Sequence, residues 1–553
     1  MTSLSRLRRK AASHRMALVS CLTALLFLTT SIGALLPTPV FSQAPSSDPN
    51  LFPNHIYLPL AQSDNPQAAD AQQVTSAALT PLPIGADPFT QATCKASNTT
   101  NHHANVEPDS FSNGSTIVAA YQVGRIYDGG ACAIGFSTST NNGATWTSGL
   151  LPGITKYNGG GAFDRATDAA VAYDAKHNTW MISSLVLTEA GGVKGVGIRT
   201  SLSTDGGFTW NTVTSIPNSA GMVSPDKNWI VCDNTSTSPY YGNCYTEWDD
   251  NGAGNRMEMS RSTDGGLNWS VAATNSSGII GGQPVVRPDG TVIVPTANAN
   301  ETAIGAFNST NGGASWSAVT TIATVRHHTV AGSLREGPLP SAEIDSAGTV
   351  YVAWSDCRFR SACKTNDIVY AKSTNATGTT WSTVTRVPID GTGSGIDHFI
   401  PGLAVNKDAL HTGQLGLTYY FYNSGSTVLN IGFISSSNGG STWGTPTTVS
   451  TATSVWAATT SQGRMVGDYI STSYGSDNLA HGVFATVTAG SSGTGCSTGA
   501  LDNCIEPITT FSSGLAAGAL SGLNDPVLFS GNGGTNAQNL WNIVDNNGSK
   551  HRD

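Results

Sequence analysis

Six stretches of this sequence share one pattern, and that pattern dictates a turn. Residues 203–210 read STDGGFTW, 139–146 STNNGATW, 262–269 STDGGLNW, 309–316 STNGGASW and 436–443 SSNGGSTW, while 373–381, STNATGTTW, is one residue longer. In each, an Asp or Asn accepts hydrogen bonds from the backbone that follows it, and a Gly admits positive φ. The Trp that ends each box re-enters a strand. The six Trp, at 146, 210, 269, 316, 381 and 443, are 64, 59, 47, 65 and 62 positions apart. A repeat of this period points to a propeller or another repeat array.

Apolar, strand-like runs precede the boxes, for example 132–136, 304–307 and 429–434. Each box therefore reads as a hairpin between two strands. A second pattern precedes it, a strand, a polar turn and another strand: residues 168–174 lead into 180–185, 227–233 into 244–248, 339–345 into 349–354 and 400–406 into 416–421, with a shorter version at 283–294. Together these predict four antiparallel strands per repeat, an all-β chain built as a single propeller. Residues 463–474 and 481–487 resemble the opening strands of one more blade without a box. Seven blades are expected, with six, closed by this segment, as the alternative.

Composition supports an exported all-β protein: 62 Gly and only 11% charged residues among 553. Arg6, Arg8, Arg9, Lys10 and Arg15 precede an apolar run over 16–36, and Ser42-Gln43-Ala44 offers small residues for cleavage. Residues 1–44 read as a signal peptide cleaved after Ala44, with a retained membrane anchor as the rival. Removing those five bases leaves 22 basic against 36 acidic residues, a balance of −14 that argues against a nucleic-acid partner. Residues 45–92, rich in Pro, Ala, Ser and Gln, read as a disordered linker, 93–545 as the propeller and 546–553 as a loose tail. Eight Cys follow the signal. Close spacing pairs Cys232 with Cys244, Cys357 with Cys363 and Cys496 with Cys504, leaving Cys94 with Cys132. A metal site is the alternative, but no C-x-x-C is present.

In a propeller the first strand of each blade lines the central channel, and ligands sit at one mouth. Polar residues at or just before those strands are the candidates: Arg165 and Asp168, Asp226 and Lys227, Gln283 and Arg287, Arg335 and Glu336, Asp397 and His398, and Arg464, Asp468 and Tyr469. Asp168, Arg335, Glu336, Arg464, Asp468 and Tyr469 are the catalytic candidates, and Arg165, Asp226, Lys227, Gln283, Arg287, Asp397 and His398 the substrate-binding ones. The bland reading makes them bridges between blades. Arg forms bidentate forks with carboxylates, and a carboxylic acid can protonate a leaving oxygen. The pairs His102-His103 and His327-His328 are poor chelates, because neighbours on a strand face opposite ways. Asp249-Asp250-Asn251-Gly252 reads as a solvated turn rather than a calcium loop. No metal or cofactor is implied.

The boxes resemble the Asp-boxes, or BNR repeats, of sialidases and related β-propellers, over roughly residues 95–490. The resemblance implies a glycoside hydrolase of sialidase-like type, secreted or cell-surface, with terminal acidic sugars of glycans as partners. Sialidases use three Arg, one in an Arg-Ile-Pro motif, with an acid Asp and a Tyr–Glu pair. This chain lacks Arg-Ile-Pro, its nearest match being Arg125-Ile126-Tyr127, and only Arg287, Arg335 and Arg464 suggest a cluster. A non-catalytic carbohydrate- or surface-binding propeller and a polysaccharide lyase are the alternatives. Asp356 and Arg358, in a segment common to secreted proteins of this kind, are expected to pair and hold the loop closed by Cys357 and Cys363.

Overall fold

Strand pairing in this chain is local, so one sheet follows another along the sequence. The computed structural model describes residues 80–489, 496 and 504–518. The expected signal and its cleavage after Ala44, the linker over 45–79, and the chain beyond 518, including the tail, lie outside the described residues.

Sheet I comprises Thr100–Asn113, Thr116–Ile126, Ala131–Ser139 and Thr147–Leu150, and sheet II Arg165–Asp174, Thr179–Thr188, Lys194–Ser203 and Thr212–Ser215. A single bridge from Ala131 to Ala166 joins the two. Sheet III holds Pro225–Cys232, Cys244–Asp250 and Arg256–Ser262; sheet IV Val285–Val286, Val292–Asn298, Ala303–Ser309 and Thr320–Thr324; and sheet V Ser341–Ile344, Val350–Asp356, Asp367–Lys372 and Thr385–Arg386. Sheet VI holds Asp397–Val405, Leu415–Tyr422, Val428–Ser436 and Thr447–Thr453. Sheet VII combines Ser471–Tyr474, Ala480–Ala485 and Ile508–Phe511 with Pro81–Pro83 from the other end of the described chain. Residues 80–92, read from sequence as the end of the linker, are therefore part of the fold: Pro81 pairs with Phe511, and Ile84 and Phe89 are buried.

All these pairings are antiparallel. The second and third strands of each sheet are almost wholly buried, because each sheet is covered by a neighbour on both faces. The core is accordingly a series of slabs. Val118, Ile134 and Phe136 of sheet I meet Val171, Ile182 and Trp210 of sheet II. Tyr351 and Ile368 of sheet V meet Leu403 and Leu417 of sheet VI. A larger slab joins sheets VI, VII and I through Phe399, Tyr420, Phe484 and Tyr121.

Each box follows the third strand of its sheet, and in sheets I, II, IV, V and VI it leads into a fourth, as its turn chemistry demands. In the box at 203–210 the Asp205 carboxylate accepts from Ser203 Oγ at 2.7 Å, Thr209 N at 3.0 Å and Thr209 Oγ1 at 2.6 Å, and Trp210 Nε1 donates to the Gly207 carbonyl at 3.0 Å. Gly207 has φ +88, and a Cβ there would fall 2.7 Å from Val118 of sheet I. The same close approach puts Gly266 on Leu202 of sheet II, Gly313 on Tyr245 of sheet III, Gly378 on Ile293 of sheet IV and Gly440 on Tyr370 of sheet V. Gly143, in the box of sheet I, abuts His481 of sheet VII. Each box thus fastens its own sheet to another. The disulfides are Cys94–Cys132, Cys232–Cys244, Cys357–Cys363 and Cys496–Cys504, the pairs that spacing suggested.

Candidate functional site

The first strands of the sheets lie beside one another in chain order, and Ser471–Tyr474 of sheet VII packs beside Thr100–Asn113 of sheet I. Side chains stitch them: Asp109 accepts from Val171 N at 2.7 Å, and Ser341 Oγ from Leu403 N at 2.9 Å. Where these strands begin, a pocket of 650 Å³ opens. It is lined by Asp168, Asp226, Lys227, Arg335, Glu336 and Asp468 of the residues singled out from sequence, together with Glu107, Arg125 and Glu301.

A repeated backbone device aims three of these side chains. The ladder slips between Val106 and Asp109, between Thr167 and Ala170, and between Asp226 and Trp229. Within the slips Glu107, Asp168 and Lys227 take left-handed φ of 55, 51 and 45. Such a bulge re-aims a side chain, and a non-glycine residue held there costs about 1–3 kcal/mol. Sheet VI carries the same slip at Ile400, φ 48, where the residue is buried in the core. Glu107 was not singled out from sequence, although Val106-Glu107-Pro108-Asp109 stands in register with Thr167-Asp168-Ala169-Ala170. Glu301 reaches the pocket from the turn between two strands of sheet IV, also at positive φ.

The pocket is densely charged. Arg335 Nη2 pairs with Asp468, whose backbone N–H donates to Glu107 Oε1 at 3.2 Å. Lys227 Nζ lies 3.4 Å from Asp168 Oδ1 and 3.5 Å above the Tyr469 ring. Arg125 donates to the Gly130 carbonyl at 2.6 Å and to Met465 Sδ at 3.1 Å, and among the described residues it makes no ion pair. Burial, then the adjacent Arg335 guanidinium, push the Arg125 pKa down to about 10. Glu336 accepts from Ser355 Oγ at 2.7 Å and lies 2.7 Å from His327 Nε2. Burial raises Glu107 to about 8, and burial followed by the Asp168 charge raises Asp226 to about 6. Burial also lifts Asp109, between sheets I and II, to about 7. In the folded state these three acids hold protons that the unfolded chain would release. The stability these groups contribute is therefore fully present below about pH 4, where the unfolded carboxyls are also protonated, and is lost as pH rises from about 4 to about 8. We expect the thermal unfolding midpoint to fall from pH 5 to pH 8, most steeply below pH 6 where all three groups contribute, and a flat or rising midpoint would show these carboxyls to be ionised in the fold.

The remaining sequence candidates lie elsewhere. Arg165 is wholly buried, paired with Asp128 at 2.5 Å and Glu189 at 2.8 Å. Gln283 Oε1 accepts from Ala342 N at 2.9 Å, bridging sheets IV and V beside a separate cavity of 340 Å³. Arg287 binds the Gly348 carbonyl. Asp397 accepts from Asn366 N at 2.7 Å and sits 3.0 Å from His328 Nδ1. His398, whose pKa burial drives down to about 4, faces Arg360. Arg464 donates to the Ala457 and Cys496 carbonyls at 3.0 and 3.3 Å. Tyr469 lies under the pocket floor, edge-on to Trp229, with its hydroxyl donating to the Ala169 carbonyl at 3.2 Å; burial drives its pKa far up. A tyrosinate nucleophile has no support in that setting. Asp249 and Asp250, expected in a solvated turn, are fully buried at the end of a strand, where Asp250 accepts from Val223 N and Ser224 N at 2.9 and 2.8 Å. Arg358 does pair with Asp356, at 2.7 Å. Asp367, Asp390 and His398 stand close enough together to hold an ion, but the Arg360 guanidinium is 2.6 Å from both carboxylates and supplies the positive charge there.

Residues 114–341 match the family described as the BNR repeat-like domain. The matched BNR region contains four of the boxes, those at 139, 203, 262 and 309, and the boxes at 373 and 436 extend the pattern beyond it. No curated protein matches the sequence. Among solved structures, a protein of unknown function from Dyadobacter fermentans is 16% identical with a TM-score of 0.41, covering 60% of this chain and 93% of its own. The Hadza microbial sialidase Hz136 is 16% identical with a TM-score of 0.37, covering 75% of this chain and 66% of its own. An ulvan lyase of a polysaccharide lyase family is 10% identical with a TM-score of 0.43, covering 79% and 97%. At such scores the alignments say nothing about the site. Among the described residues no helix is long and apolar enough to cross a membrane.

Proposed function

We propose that the seven sheets close into a seven-bladed propeller, and that the pocket at one end of its axis binds and hydrolyses the terminal acidic sugar of a glycan outside the cell. Ring closure is supported by the contact of Gly143 with His481, which fastens sheet I to sheet VII as the other boxes fasten their neighbours. The observation that carries the functional reading is Arg125. Among the described residues this buried guanidinium has no carboxylate in an ion pair with it, and it stands beside Arg335 in the wall of a 650 Å³ pocket. A sugar carboxylate supplies the missing counter-charge in a bidentate geometry. Asp226, part-exposed to the pocket and raised to about 6, is protonated often enough near neutral pH to give a proton to the leaving oxygen. Glu301, with no hydrogen-bonded side-chain partner among the described residues, is free to take a proton from attacking water. The burial of Tyr469 favours this carboxylate-assisted route over a tyrosine nucleophile. The four disulfides support export.

The test offers methylumbelliferyl sialoside and methylumbelliferyl glucuronide to the folded protein, with calorimetric titration of the free acids in parallel. Turnover of at least one is expected, with Asp226→Asn lowering kcat about a hundredfold while substrate still binds. Binding without turnover would overturn the enzyme and leave a glycan-binding propeller. Failure of every acidic sugar to bind would end the reading altogether.

A further inference from the structure

Asp226 does not stand alone. It lies directly opposite Asp249 on the antiparallel partner strand of sheet III, so the two side chains share a face, with Cβ atoms about 4.5–5.5 Å apart. Asp249 is fully buried. Its Oδ2 accepts from Asn255 Nδ2 at 2.7 Å, and its Oδ1 has no hydrogen-bond partner. Among the described residues no cation pairs with it. The charged and titratable groups around the pair are Asp168, Lys227, Arg335 and Glu247. Lys227 leans on Asp168, and Arg335 on Asp468. Glu247, two residues along the same face, is buried with both carboxylate oxygens unpartnered. With Lys227 and Arg335 each paired to another carboxylate, the two carboxylates side by side are not both offset, and a buried acid without a counter-ion stays protonated.

We propose that Asp226 and Asp249 form a carboxyl dyad holding one shared proton, with Asp249 as the positioning residue that keeps a proton available to Asp226 in the pocket. Asp226 faces the ligand and gives the shared proton, passed forward from Asp249, to the leaving oxygen; the dyad, then doubly ionised, takes one proton back from solvent through Asp226 and is singly protonated again. The dyad therefore remains singly protonated at a pH where an isolated carboxyl would have ionised. Burial raises Asp249 well above the usual carboxylate range, with the Asp226 charge as the next cause, in accord with this arrangement. The catalytic use of the proton rests on the function proposed above, whereas the dyad itself does not.

The test follows the side-chain carboxyl carbons of selectively labelled Asp by NMR through a pH titration of the full chain, for wild type, Asp226→Asn and Asp249→Asn. In wild type the Asp226 resonance should titrate in two steps, the second reporting loss of the shared proton. Asp249→Asn should leave one step. Asp226→Asn should lower the Asp249 midpoint by at least one pH unit, a tenfold change in proton affinity, because the like charge is gone. A single Asp226 step in wild type overturns the dyad even if neither variant folds, as does an Asp249 midpoint that ignores Asp226→Asn. If an acidic sugar is hydrolysed, the basic limb of the rate profile should move to lower pH by at least one unit in Asp249→Asn, whereas a merely structural role would lower the rate equally at every pH. If none is hydrolysed, the functional reading fails and the titration still decides the dyad.

Discussion

Arg335→Ala is expected to lower unfolding free energy by about 3 kcal/mol, near the lower end of the range for breaking a buried ion pair. The Arg335 side chain is 27% exposed and that of Asp468 13%, so water screens the pair only partly. Without the guanidinium, Asp468 would keep its carboxylate in a pocket wall beside Glu107, Asp168 and Asp226, with Lys227 already committed to Asp168. The loss would also loosen the segment that carries Arg335. Its backbone N–H bonds the Arg464 carbonyl, and residues 325–340 contain no strand to hold them otherwise. Urea unfolding of Arg335→Ala, Asp468→Ala and the double variant isolates the pair, and a coupling energy above about 1.5 kcal/mol is expected. Coupling below about 0.5 kcal/mol would place the pair with ordinary surface ion pairs. Arg335→Lys keeps the charge but loses the planar fork, and should recover only part of the loss.

The contrast between the boxes and the pocket shows which physics a sequence displays. Every hydrogen bond that Asp205 makes lies within residues 203–209, so the turn is encoded by its own letters and repeats wherever they do. The pocket depends on register. One slipped residue in a first strand decides which side chain points inward, and Glu107, Asp168 and Lys227 arrive there only through left-handed bulges that no composition signal marks. Asp468 and Tyr469 make the same point. The chain bends at Asp468, so the acid enters the wall while the tyrosine next to it goes under the floor. Asp249 and Asp250 resemble a turn because Asn251-Gly252 follows, yet the strand runs to Asp250 before the chain bends into the short 3-10 turn Asn251–Ala253. Residues 81–83 look like linker because Pro is common there, but a Pro is tolerated in an edge strand, and Pro81–Pro83 occupies the outer edge of sheet VII.

Trp210→Ala should be the most damaging change to a box, at about 3–5 kcal/mol, the range for emptying a buried aromatic site. The ring is 1% exposed and lies 5.7 Å from Phe136 of the neighbouring sheet, so it belongs to the slab between sheets I and II as much as to its own turn. Its Nε1 donates to the Gly207 carbonyl at 3.0 Å, and Thr138 Oγ1 donates to that same carbonyl from sheet I at 2.6 Å. Truncation would open a cavity at the point where two sheets and a turn meet. Trp316 holds the equivalent position in sheet IV but is only part-buried, with an unpartnered Nε1. Trp316→Ala should therefore cost about half as much, because the penalty follows buried apolar area rather than the motif. Trp210→Phe keeps most of that area and gives up one hydrogen bond, which predicts a loss of about 1–2 kcal/mol. Thermal and urea unfolding of the three variants would rank them. Equal losses for Trp210→Ala and Trp316→Ala would mean that the tryptophan stabilises each box from within, and that the sheets owe their contact to other residues.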